Sequence, residues 1–99
     1  MSIKVFKLIN GEEIISEVTD IYDAKDYELS SPATIIVQQT EQGVGVGLAP
    51  YMPYVSGKIN LNKSAVASHG SPEVKMENEY RRIFGSGIQI ASAGSVFTG

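Results

Sequence analysis

The 99-residue sequence has no cysteine, no tryptophan and a single histidine. Without thiols there can be no disulfide staple, no zinc ribbon and no cysteine nucleophile. His69 has neither a nucleophile elbow nor a carboxylate partner close by in sequence, so a catalytic triad has nothing to build on; a capping or surface role is expected. No stretch approaches the roughly 20 apolar residues of a membrane helix, and Met1–Lys7 lacks the long apolar run of a secretory signal. A cytoplasmic protein with no membrane partner is the expectation.

Positive charge is scarce as well. Eight basic and eleven acidic residues leave a net charge of −3, opposite to a strong phosphate-binding surface. Residues 1–30 hold three lysines and seven acids, whereas from Ser31 to Gly57 the only charged residue is Glu41. What is present, 42% apolar residues and 10 glycines, suits one small domain. Folding at this size removes roughly 60–65% of the unfolded surface, so copies that bury area against one another gain much.

Residues 3–9 place Ile3, Val5 and Ile9 on one face and Phe6 with Leu8 on the other, a strand pattern. Asn10-Gly11 then predicts a two-residue hairpin turn with positive φ at both centres. In residues 12–21 Ile14 and Val18 share a face opposite Ile15, giving a second strand. Asp20 to Asp26 is polar enough for a loop, and a third strand is expected from Tyr27 to Gln38. Pro32 inside that run requires a bulge, a bend or an edge, because proline donates nothing to a ladder. A strongly bent strand is what a small barrel needs.

Gly43-Val-Gly-Val-Gly47 lacks nucleotide-fingerprint spacing and is followed by Pro50 and Pro53 where a helix would have to begin, so it reads as a flexible hairpin loop. Tyr51-Met-Pro-Tyr54 is expected to pack over a barrel end or at an interface. Two short strands, Lys58–Leu61 and Ser64–Ser68, pivot about Asn62-Lys63. The third strand and its successor carry almost none of the charge that usually protects a sheet edge, so something should cover those edges.

Ser71-Pro72 predicts a helix start, Met76, Tyr80, Ile83 and Phe84 form its apolar stripe, and Gly85 is expected to end it. An uncharged tail follows, with a brief strand expected around Ile88–Ile90. Asp20, Asp23 and Asp26 lack the glycine and terminal glutamate of a calcium loop and read as solvated turn carboxylates. Glu12 and Glu13 are adjacent on a strand and face opposite ways, so they cannot flank one substrate bond. No enzyme, cofactor or metal is expected.

The order of an apolar strand with Leu8, the Asn10-Gly11 turn, a strand with Val18, Tyr22-Asp23, Leu29 and Ala33 follows the first Sm motif. On these residues the chain resembles the Sm-like family, most closely the small Sm-like proteins of tailed phages of marine cyanobacteria. The resemblance spans residues 3–68. It departs from the family at Tyr27, which stands where an RNA-binding asparagine is expected, and at Leu61-Asn62-Lys63, which lacks the arginine and glycine of the second motif. A helix at the carboxyl end instead of the start is a further departure.

The resemblance implies a mostly β chain. Residues 1–70 would form a small, strongly bent five-stranded Sm-like barrel of the SH3 type, and residues 71–99 a C-terminal helix and short tail packed on it. It also implies a ring of about five to seven copies, the fourth strand of one pairing with the fifth of the next, which would cover the bare edges. Single-stranded RNA would meet Tyr22, Asp23, Lys25 and Tyr27 from one loop and Asn62 and Lys63 from another, with tyrosine stacking and lysine near phosphate. The alternative is an assembly or protein-interaction module on the same barrel, for instance a phage structural component, without RNA.

Overall fold

The computed structural model describes residues 2–84. Six strands form one antiparallel sheet: β1 Ser2–Leu8, β2 Glu13–Asp20, β3 Asp26–Thr40, β4 Gly43–Pro50, β5 Ile59–Asn62 and β6 Val66–Gly70. A 3-10 turn at Lys63–Ala65 joins β5 to β6, and helix α1 runs from Val74 to Phe84. The strand order is β4-β3-β2-β1-β6, with β5 beside the first half of β3. Six strands replace the expected five because the chain leaves β3 at Pro50, loops out through Tyr51 to Lys58, and returns to it at Ile59. The sheet is not closed: β6 pairs with β1, and no ladder joins it to β4 or β5.

Period-two alternation in the central strands loads both faces of this sheet. Ile14 and Ile15 are adjacent, point opposite ways and are both fully buried. On one face Phe6, Leu8, Ile14, Val18, Tyr27, Leu29, Ile59 and Leu61 form a core. On the other, Ile3, Ile15, Ala33 and Leu48 lie under Tyr80, Ile83 and Phe84 of α1. Each fully buried large side chain contributes about 1.5–3 kcal/mol through lost contact with water. The helical stripe read from the sequence is the face that docks.

The bend in β3 has a local cause. Ile15 pairs with Ala33 but Glu17 pairs with Ser30, so Ser16 alone opposes Ser31 and Pro32. Proline breaks the ladder there, Ser31 takes a positive φ of 52°, and the extra residue turns the strand. The first half of β3 therefore meets β5 and the second half meets β4. Ser16 is buried at the bulge, where its hydroxyl shares its proton between Glu17 O (2.8 Å) and Ser30 O (3.0 Å).

Three local expectations change. The first hairpin has a three-residue loop, Ile9–Gly11: Gly11 N–H donates to Leu8 O and Leu8 N–H to Glu12 O. Only Gly11 has positive φ (93°), the arrangement of a type I turn followed by a glycine bulge. Gly43–Gly47 is strand, not flexible loop, because its partner β3 offers an unbroken ladder from Ala33 to Thr40. Helix α1 begins at Val74 instead of Ser71-Pro72; Glu73 O accepts the first helical bond, from Glu77 N–H, and Ser71–Glu73 is used as the link out of β6. The expected Gly85 cap and the strand at Ile88–Ile90 lie outside the described residues. Among the described residues, no helix is long and apolar enough to cross a membrane.

Candidate functional site

The β2–β3 loop and the β5–3-10 junction come together at one end of the sheet. Lys63 N–H donates to Lys25 O (2.9 Å), tying the two segments backbone to backbone. Lys63 Nζ reaches across to the Asp20 carboxylate (3.0 Å) and Ile21 O (3.3 Å) and sits 5.1 Å above the Tyr27 ring. Asn62 caps the 3-10 turn, its side-chain oxygen accepting from Ser64 N–H (2.8 Å) and Ser64 Oγ (2.6 Å). Asp23 takes a positive φ of 70°, the short polar residue tolerated there.

The six residues proposed from sequence are thus neighbours with unequal roles. Tyr22 is 95% exposed and offers an open ring face, and Lys25 is exposed beside it in the same loop. Tyr27 is buried, its centroid 5.0 Å from that of Phe6, and serves the core. Lys63 already has a carboxylate, a carbonyl and a ring for its charge, while Asn62 spends its oxygen on the backbone. His69 is exposed, its ring centroid 6.2 Å from Phe6 and 6.3 Å from Tyr27. Among the described residues no three of His, Asp and Glu stand together as a metal would require.

The Tyr51–Tyr54 loop closes the lower core. Tyr51 N–H donates to Pro32 O (2.9 Å), and Tyr51 and Met52 pack against the Phe6 cluster while Tyr54 stays exposed. Burial, with Glu12 and Tyr54 nearby, pushes the Tyr51 hydroxyl above the usual tyrosine range.

A second feature lies at a sheet edge whose lack of charge the sequence showed, on a segment expected there to be a loop. The outer edge of β4 has no partner strand among the described residues, and this eight-residue strand carries no charge. Val44 and Val46 are 67% and 52% exposed, continuing an apolar stripe with Val37. Val37 and Val46 border a trough of about 490 Å³ that Val5, Ile35, Pro72 and Met76 also line, together with the charged Lys7, Glu13 and Glu73. The signal was legible: valine and glycine alternate strictly from Gly43 to Gly47, a strand period that the glycine content disguised as a loop. β6 is the outer strand at the other end of the strand order and it too is uncharged, while β5, off that path, pairs with β3 alone. No protein-family model matches this chain, and no curated protein matches it.

Proposed function

We propose that this chain is a non-enzymatic assembly module on an Sm-like barrel, which associates with copies of itself by pairing β4 of one with β6 of the next. The observation that carries this reading is the bare β4 edge. Long, uncharged, apolar edges recruit further strands, and proteins that stay single protect them with charge or proline. Here neither β4 nor β6, the two ends of the strand order, carries a charge, and the one proline, Pro50, stands only at the last position of β4. Pairing of the two would be head-to-tail, and a head-to-tail interface that closes gives a ring, for which the family resemblance implies about five to seven copies.

Single-stranded RNA is the second reading, favoured by the convergence of Tyr22, Lys25, Asn62 and Lys63 at one end. Native mass under non-denaturing conditions separates self-association from a lone chain of 10.6 kDa. Val46→Glu is expected to give a folded monomer, since the residue is half exposed in the single chain. A lone wild-type particle would refute the assembly reading. With no tryptophan to mask it, co-purifying RNA would dominate the ultraviolet spectrum. A clean protein spectrum and no shift of oligouridine or oligoadenosine probes support assembly without RNA, whereas binding that Lys63→Glu abolishes supports the RNA reading.

A further inference from the structure

Resting on the edge-to-edge reading, we infer that the first turn of α1 in each copy docks on β4 of the next, Val74 packing against Val44 and Val46. The register places Ile35 opposite Leu48, Val37 opposite Val46 and Gln39 opposite Val44, so all three β4 side chains point to the face that carries the helix. Leu48 is covered by α1 of its own chain, while Val46 and Val44, further along, are not. The opposite face of β4 presents Gly43, Gly45 and Gly47, then Ala49. Gly43 has a φ of 121°, which itself calls for glycine, whereas a Cβ built at Gly47 meets nothing within 4 Å and one at Gly45 meets only Gln38 O at 3.9 Å, so packing within the chain does not impose glycine at those two positions. Over Gly43–Gly47 an approaching copy finds apolar side chains on the helix-bearing face alone.

The same chain supplies the matching piece at its other edge. Only Ser71–Glu73 separate β6 from α1, so the helix starts beside that edge and then crosses the sheet. At its far end Tyr80 reaches Ser30 and Ser31, and Phe84 lines a recess with Pro32 and Pro50. Val74, 72% exposed, is the apolar residue of α1 left outside the docked stripe. Setting β6 of one copy beside β4 of the next in a continuous sheet brings that first turn over the uncovered valines. Neither strand carries a charged residue to oppose the approach.

The chain has no native cysteine, so V46C and V74C proteins can be mixed, exchanged and oxidised. A disulfide-linked dimer joining a V46C chain to a V74C chain, absent from either protein alone, is expected. Val74→Asp is the second test: aspartate in a first helical turn favours the helix, so the fold holds while the concentration needed for half-assembly rises at least tenfold. Assembly of wild-type mass without the mixed crosslink would overturn the helix contact and leave edge pairing standing. V46C chains linked only to one another would overturn it in favour of a two-fold β4 interface. A monomeric wild-type protein would overturn both inferences.

Discussion

Removing one oxygen atom tests how α1 is held to the sheet. Tyr80 is buried, and its hydroxyl accepts from Glu17 N–H (3.1 Å) and donates to Ser31 O (2.7 Å), with Ser30 O at 3.0 Å. These partners flank the β2–β3 bulge, where the ladder has slipped and backbone groups need other company. Tyr80→Phe keeps the ring, its stacking on Phe84 (5.3 Å, 25°) and the apolar burial, and deletes only the hydrogen bonds. Ser30 O keeps the Ser16 hydroxyl, but Glu17 N–H and Ser31 O lose the tyrosine. One lost bond costs about 1 kcal/mol net, and a buried group left unsatisfied about 1–3 kcal/mol. The expected loss is about 2–3 kcal/mol, or about 10–20 °C in Tm for a domain of this size.

The assay is denaturant unfolding at one fixed protein concentration, because association would otherwise shift the midpoint by mass action. A lowered midpoint with an unchanged slope is the expected result. A loss under about 0.5 kcal/mol, the range of an ordinary surface substitution, would refute the claim that this hydroxyl fastens the helix. The pH dependence supplies an internal control. Burial, acting more strongly than the hydrogen bond from Glu17, pushes the hydroxyl up to about 12 from an ordinary 10.0. The folded state holds the proton more tightly, so this contribution is complete below pH 10 and is lost as pH rises from about 10 to 12. Tyr80→Phe should lack that alkaline slope.

Gly45→Ala and Gly47→Ala should each stabilise a monomeric background such as Val46→Glu by about 0.5–1 kcal/mol, since both sites have room and neither has a positive φ; thermal melts decide, and destabilisation would show that the bareness of β4 serves its own fold. Gly11→Ala should cost about 1 kcal/mol or more, because φ there is 93°; an unchanged melt would contradict the glycine-bulge turn. Asp20→Asn removes the carboxylate facing Lys63 and should give measurable, salt-dependent oligouridine binding where the wild type gives little; no gain would show that pairing is not what silences the lysine. Phe6→Ala, at a fully buried site against Tyr27, should cost about 3–5 kcal/mol and leave little folded protein by circular dichroism.

The strands other than β4, and their faces, were legible because alternation is a local property: Ile14 against Ile15, or Phe6 and Leu8 against Ile3, declare opposite surfaces before any partner is known. Pro32 called for a bulge, a bend or an edge for an equally local reason, and the pairing of β2 with β3 makes it a bulge. The two-residue turn was misread because Asn-Gly fits both a primed turn and a type I turn with a glycine bulge, and the pairing of Leu8 with Glu12 decides between them. The helix start was misread because Ser71-Pro72 has good capping chemistry but is needed to span from β6 to the helix. At the candidate site, proximity was legible and availability was not. Nothing in the order of residues says that Asp20, from the end of one strand, will reach Lys63, from a turn 43 positions on.

That pairing bears on how assembly and nucleic-acid binding relate. A ring repeats whatever its subunit presents, so a single free lysine per copy would build a collar of positive charge. Here the end that carries Lys25 and Lys63 also carries Asp20, Asp23 and Asp26, three acids to two bases. Lys63 Nζ is bound to Asp20, and the Tyr27 ring that would accompany it in stacking is buried. In the proposed ring, repetition would therefore multiply a balance of three acids to two bases, and the added copies would offer an oligonucleotide no net positive collar. On the proposed β4-to-β6 pairing the β4 edge would behave in the opposite way: each added copy would cover one bare edge and present the next, until closure left none. The same repetition that weakens the case for RNA strengthens the case for a protein whose partner is itself.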